Sequence, residues 1–197
     1  MTFIKNRKRR LDEADPEQDD DDEDRIECIG NCVYFYAEVT TKNCYKLLIK
    51  MHEAASNLPN IMAKKKIYIF IHSGGGDAYA GLSAYTHISN FPHKVVTVAD
   101  GLTASAATLL FLGSKHRRIM PHAQVLIHQL RTSFWGKYAE LGDEYKNTTK
   151  LMISLKQIYK ENTKLDSKQL DNYLKSEMCM GSDECVKYGL GKLFKKM

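Results

Sequence analysis

Residues 95–112 read Val95-Val96-Thr97-Val98-Ala99-Asp100-Gly101-Leu102-Thr103-Ala104-Ser105-Ala106-Ala107-Thr108-Leu109-Leu110-Phe111-Leu112. β-Branched residues favour a pleated, buried strand, and the leucine-rich end favours a buried helix, so the stretch predicts strand, turn at Ser105, then helix. A serine at such a turn has its hydroxyl near the first free N–H groups of the helix. Those groups stabilise negative charge developing on a nearby oxygen.

Two further strand ends on either side carry chemistry. Upstream, Ile67-Tyr68-Ile69-Phe70-Ile71 runs into Ser73-Gly74-Gly75-Gly76, a turn whose bare backbone lets a substrate approach closely. Downstream, Val125-Leu126-Ile127 ends in His128, an imidazole placed to act as a base. Each feature has a plainer reading alone: a packing serine, a satisfied structural histidine, a tight glycine turn. No Lys-Ser/Thr follows the glycines, which argues against a phosphate loop. A glycine cradle, a hydroxyl and an imidazole at three strand ends point to acyl transfer.

The rest of the chain predicts strands alternating with helices, and hence an α/β fold with parallel pairing. Val33-Tyr34-Phe35-Tyr36 reads as the first strand. A helix follows from Lys42 to Leu58, closed by Pro59, and another from Ala78 to Asn90, closed by Phe91-Pro92. Arg117–Met120 and Gln124–His128 read as short strands. Gly136 to Thr163 is a long helical candidate whose pattern breaks midway at Gly142 and Asn147-Thr148-Thr149, and Leu165 to Lys175 is a last helix capped by Asp166 or Ser167.

At its chemical residues the chain resembles the proteolytic subunit of the Clp protease, ClpP. The quoted motifs are Ser73-Gly74-Gly75-Gly76, Gly101-Leu102-Thr103-Ala104-Ser105, Ile127-His128-Gln129 and, near the C-terminus, Tyr188-Gly189-Leu190; the likeness runs from about Val33 to the end. The resemblance implies a ClpP/crotonase-like α/β fold of repeated strand–strand–helix units with a protruding handle helix. It implies a serine endopeptidase with Ser105 as nucleophile, His128 as general base, and backbone N–H groups of Gly76 and Ala106 as the oxyanion site. Counting back from Tyr188-Gly189-Leu190, the family's triad aspartate falls on Glu177, with Asp171 as the fallback carboxylate. Gly74 stands where the family has proline, and Ser176 where it has an arginine used between rings. Polypeptide substrates, a homo-oligomeric ring stacked in two layers and a Clp-type ATPase partner are implied as well. No metal or organic cofactor is implied.

Three rival readings share these residues. A non-catalytic ring subunit would have no need to retain both Ser105 and His128. A crotonase-type acyl-CoA enzyme would use the glycine turn but not this serine–histidine pair. A maturation protease working without an ATPase would suit a chain with no recognisable counterpart of the family's N-terminal region before Val33.

Length and charge bound the rest. A chain of 197 residues supports one sizeable core. Residues 1–25 hold ten acidic and six basic residues, including Arg7-Lys8-Arg9-Arg10 and Asp19-Asp20-Asp21-Asp22-Glu23-Asp24. Such blocks repel themselves and bury nothing, so this reads as a disordered tail before a peptidase domain at 26–197, with nucleic acid an unfavoured partner for its basic cluster. No secretory signal or membrane-length apolar run is legible. The five cysteines (Cys28, Cys32, Cys44, Cys179, Cys185) lack metal spacing and read as free thiols in a reducing, cytoplasmic setting.

Overall fold

The longest strand, β4 (Lys94–Ala104), organises the molecule because it belongs to two pairings in succession. The computed structural model describes residues 24–58 and 66–195. A hairpin of β1 (Arg25–Ile29) and β2 (Cys32–Tyr36) is followed by α1 (Thr41–Ser56), β3 (Lys66–Ser73) and α2 (Ala78–Ser89), then β4. After it come α3 (Ala107–Leu112), β5 (His116–Ile119), β6 (Gln124–Leu126), α4 (Tyr138–Asn162), α5 (Ser167–Leu174), α6 (Ser182–Lys187) and β7 (Lys192–Leu193). Among the described residues the sheet runs β1-β2-β3-β4-β5-β7, parallel except for the β1–β2 hairpin, with β6 attached separately to β4. The fold is mixed α/β, as the alternation of strands and helices predicts.

The first half of β4 pairs with β5, Val96–Ala99 against His116–Ile119, and the second half pairs with β6, Leu102–Ala104 against Gln124–Leu126. Between the halves the register against β3 shifts: Ile71 faces Ala99, but Ser73 faces Thr103. Such a bulge bends the strand and re-aims its second half. Gly101 makes the bend available: it sits at φ 66°, and a Cβ there would meet the His72 ring at 2.4 Å. Thr103, wholly buried, donates its hydroxyl to Ile71 O and keeps the bent strand attached to β3.

Helices α1, α2 and α3 cover one face of the sheet, where Leu47, Met51, Ile69, Ile71, Leu109 and Phe111 are buried in the main core. Each such side chain contributes about 1.5–3 kcal/mol when fully removed from water. A smaller cluster on Cys32, Phe70, Val96 and Val98 carries Tyr34, Tyr68 and Phe194 as half-buried neighbours. Caps set the helix starts. Thr40 accepts from Asn43 N, Asp77 accepts from Ala80 N at 2.6 Å, and Asp166 accepts from Gln169 N. Arg117 ties the C-terminal segment down. Its half-buried guanidinium donates to the carbonyls of Ser114, Asn162 and Leu190, linking β5, the end of α4 and the Tyr188-Gly189-Leu190 motif.

Several expectations are corrected. The long helix does not break: α4 is continuous through Gly142 and Asn147-Thr148-Thr149. Its first half stands mainly in solvent, and nothing lies within 4 Å of a Cβ at Gly142. A glycine there loses only its intrinsic propensity, about 1 kcal/mol against alanine, which a helix of 25 residues absorbs. Among the described residues the first strand is β1 rather than Val33–Tyr36, and β6 stops at Leu126, two residues short of His128. Asp24 and Arg25, assigned by composition to the tail, belong to the fold. Arg25 opens β1, and the Asp24 carboxylate accepts from Glu38 N and Asn43 Nδ2. The expected disorder of the preceding residues and the helix stop at Pro59 lie outside the described residues.

Candidate active site

The second half of β4 delivers Ser105 into a conformation that L-residues rarely adopt. Its φ is 54°, the one positive φ outside glycine among the described residues. Strain of this kind persists only where the surroundings over-determine it. Here Ser105 N donates to Leu126 O at 2.8 Å, while Ser105 O accepts from Thr108 N and from the Thr108 hydroxyl. Both peptide groups of the serine are therefore held, and its side chain projects from a fixed elbow.

The glycine turn lies against that elbow. A Cβ on Gly75 would stand 2.5 Å from Ser105 Cβ and 2.9 Å from Ala104 O; one on Gly76 would stand 2.4 Å from Val39 O. Only glycine fits at either position. Gly74, by contrast, has open space around it, so no crowding demands a glycine where the resembled family has proline. The bridge between Val39 and Gly76 uses Gly75 O and Asp77 N, at 2.7 Å each, which leaves the Gly76 N–H unspent. Among the described residues no acceptor takes the Ala106 N–H either. Gly76, Ala106, Ser105 and His128 all line one cavity of about 530 Å³, to which Leu151 and Leu155 of α4 also contribute. Two free backbone donors beside a hydroxyl form the arrangement an oxyanion requires.

His128 reaches the serine from β6. Val125 exchanges both backbone bonds with Met180, Gln129 N donates to Leu174 O at 2.7 Å, and Ile127 is buried, so the imidazole is set by its neighbours on both sides. Its Nε2 lies 2.7 Å from Ser105 Oγ. With Nε2 accepting the serine proton, the ring carries its own proton on Nδ1, which faces Glu177 Oε1 at 3.4 Å. The same carboxylate oxygen takes a hydrogen bond from Arg131 at 3.3 Å. The His128 side chain is 16% exposed and that of Glu177 61%, so the carboxylate end of the array is wet.

All five sequence-derived site residues, Ser105, His128, Glu177, Gly76 and Ala106, thus meet around one feature. Asp171 does not join them: its carboxylate is bound by Lys156 Nζ at 2.7 Å, which holds its pKa below the ordinary aspartate value. Ser176 shapes the loop that presents Glu177, its hydroxyl accepting from Met178 N. Sequence reading missed Arg131, three residues past His128, which spacing alone does not connect with Glu177. Nor does the sequence mark Tyr159, whose helical spacing is that of an ordinary core residue. Tyr159 is buried on the cavity wall with its phenol 2.6 Å from Thr108 Oγ1. The five cysteines are free; burial pushes the thiols of Cys28 and Cys32 up, Cys44 to about 11 and Cys185 to about 12. Among the described residues no helix is long and apolar enough to cross a membrane.

Comparison with known proteins places these residues in context. The family model described as Clp protease matches residues 31–192. The chain is 34% identical over 135 residues to the ATP-dependent Clp protease proteolytic subunit 2 of Treponema denticola, a match covering 68% of each chain. It is 31% identical over 129 residues to the ATP-dependent Clp protease proteolytic subunit of Deinococcus radiodurans, covering 64% of this chain and 63% of that protein.

Proposed function

The chain belongs to the Clp protease family, and from that premise we propose that it is a serine endopeptidase working through an acyl-enzyme on Ser105. His128 Nε2 takes the Ser105 proton as Oγ attacks a peptide carbonyl. The resulting oxyanion accepts from the Gly76 and Ala106 N–H groups. His128 then returns the proton to the departing amine, and water, activated by the same imidazole, hydrolyses the ester. Glu177 keeps the ring proton on Nδ1. The observation that carries this reading is the 2.7 Å approach of His128 Nε2 to a serine locked at positive φ beside two free N–H groups.

The family also implies assembly into rings and work alongside an ATPase. For this chain we place the assembly surface on the exposed length of α4 and the segment before it, where Trp135, Tyr138 and Tyr145 are 97%, 93% and 76% exposed. Aromatic rings in water at this density are the composition of a contact surface. On this reading the peptidase domain takes in Asp24 and Arg25 as well as residues 26–197 and encloses polypeptide substrates once assembled. The free, mostly buried thiols suit a reducing intracellular compartment.

A fluorophosphonate probe with mass-spectrometric location of the adduct tests the proposal. The expected result is a single adduct on Ser105, absent from Ser105→Ala. An intact chain that takes no adduct at Ser105 would favour a non-catalytic ring subunit.

A further inference from the structure

The oxyanion donor at Ala106 is held from behind by two side chains that no sequence motif marks. The Ser105–Ala106 peptide is trans, as are all described peptide bonds, so Ser105 C=O and Ala106 N–H point in opposite directions from one rigid plane. Whatever fixes the carbonyl therefore aims the N–H. Thr108 Oγ1 donates to Ser105 O at 2.6 Å, alongside Thr108 N at 3.0 Å. The hydroxyl's one hydrogen is spent there, since a carbonyl only accepts. The 2.6 Å contact between Thr108 Oγ1 and the Tyr159 phenol is then a donation from tyrosine to threonine. A threonine bonding back to its own helix turn is ordinary. A buried phenol delivered from α4, 51 residues away, to complete that bond is not.

We propose that Thr108 and Tyr159 are positioning residues: a relay from the Tyr159 hydroxyl through Thr108 to Ser105 O that keeps the Ser105–Ala106 plane turned so that Ala106 N–H faces the cavity. The proposal rests on the serine-protease reading above. Donation along the chain strengthens each successive bond in a dry environment. Tyr159 is suited to the first place in the relay because burial pushes its pKa up to about 12, so it stays a donor at any working pH. The relay also couples the nucleophile to α4, the helix whose exposed half we assign to assembly. Seating of α4 then bears on the catalytic plane itself.

Replacing Thr108 alone by valine would orphan the Tyr159 hydroxyl, so the decisive variant is the double Thr108→Val/Tyr159→Phe, in which no polar atom is left unpaired. Full-length protein would be assayed on a fluorogenic peptide for kcat and KM, and with a peptide boronate as transition-state mimic. Loss of one oxyanion donor typically costs about 10²–10³-fold, and Thr108 N still holds the carbonyl, so we expect kcat to fall by roughly 10–100-fold. KM should stay within about threefold, and boronate affinity should weaken in step with kcat. Thr108→Ser, which keeps the hydroxyl, should recover most of the rate, and Tyr159→Phe alone should cost only a fewfold. A folded double variant with wild-type kcat would overturn the relay, as would a Thr108→Ser enzyme as slow as the double variant. If wild-type protein takes no fluorophosphonate at Ser105, the catalytic reading falls and the relay with it. Normal labelling with an unimpaired double variant removes the relay alone.

Discussion

The two ends of the Ser105–His128–Glu177 array are built to different standards. At the serine end both peptide groups of Ser105 are engaged, its N on Leu126 and its O on Thr108, with Gly75 packed against the side chain and His128 at 2.7 Å. At the carboxylate end, Glu177 lies on a loop after α5, 61% exposed, 3.4 Å from the imidazole and shared with Arg131. Electrostatic help scales inversely with the local dielectric, so a wet, shared carboxylate does less for an imidazolium than a buried one. The proposed nucleophile and base are thus held by the core around them, whereas the proposed third member stands at the surface.

The largest effect is expected of Ser105→Ala, which should abolish turnover on a short fluorogenic peptide while circular dichroism and assembly stay unchanged. Alanine fits because it is smaller than serine and keeps the backbone bonds to Leu126 and Thr108. Residual turnover equal to wild type would place the nucleophile elsewhere and undo the contrast at its well-built end. Next in size is His128→Ala, which removes the proposed base: kcat should fall about 10²–10⁴-fold while circular dichroism stays unchanged. A folded His128→Ala enzyme with wild-type kcat would remove His128 as base.

The carboxylate end should respond more weakly. In a buried triad, an amide in place of the aspartate costs about 10⁴-fold. Glu177→Gln should cost only about 10–100-fold, because solvent and Arg131 already share the charge. A loss as large as the buried case would mean that assembly closes over this loop and dries it. Arg131→Ala narrows the question further: freeing Glu177 Oε1 from its second partner should leave kcat within about threefold of wild type, in either direction. A tenfold fall would make Arg131 a substrate contact rather than a competitor for the carboxylate.

Legibility in the sequence divides along the same line. The strand–turn–helix around Ser105, the glycine turn and the strand leading to His128 announce themselves, because buried strands are continuous apolar runs and the turns between them need particular residues. Glu177 carries no local signal and was reached only through its spacing to Tyr188-Gly189-Leu190. Arg25–Ile29 is hidden because it abuts the acidic run, so composition outweighs its alternation of exposed and buried residues. The expected break in α4 comes from treating Gly142 as a helix terminator, when an exposed glycine in a long helix merely weakens it. The Thr108–Tyr159 bond is invisible at the level of pattern: a tyrosine at helical spacing looks like core whether or not its hydroxyl has a partner.

The smallest expected effect belongs to Asp171, and it separates catalysis from stability. Asp171 stands on α5, four residues from the helix cap at Lys175, and its carboxylate bonds Lys156 on α4 rather than His128. Asp171→Asn should therefore leave kcat and KM unchanged. A crippled Asp171→Asn enzyme with a normal fold, beside an unimpaired Glu177→Gln, would reverse the assignment of the third member. On stability the sign is definite. The Lys156 hydrogen bond lowers the folded-state pKa of Asp171, so the pair contributes above the ordinary aspartate range, and that contribution fades as pH falls through the lowered value. Wild type should thus melt slightly above Asp171→Asn at neutral pH, and the two should converge as the medium is acidified. Because both side chains are part-exposed, 39% and 47%, added salt should narrow the gap at neutral pH as well. A difference in Tm that is insensitive to both acid and salt would mean that Asp171 acts through packing of α5 on α4, not through its charge.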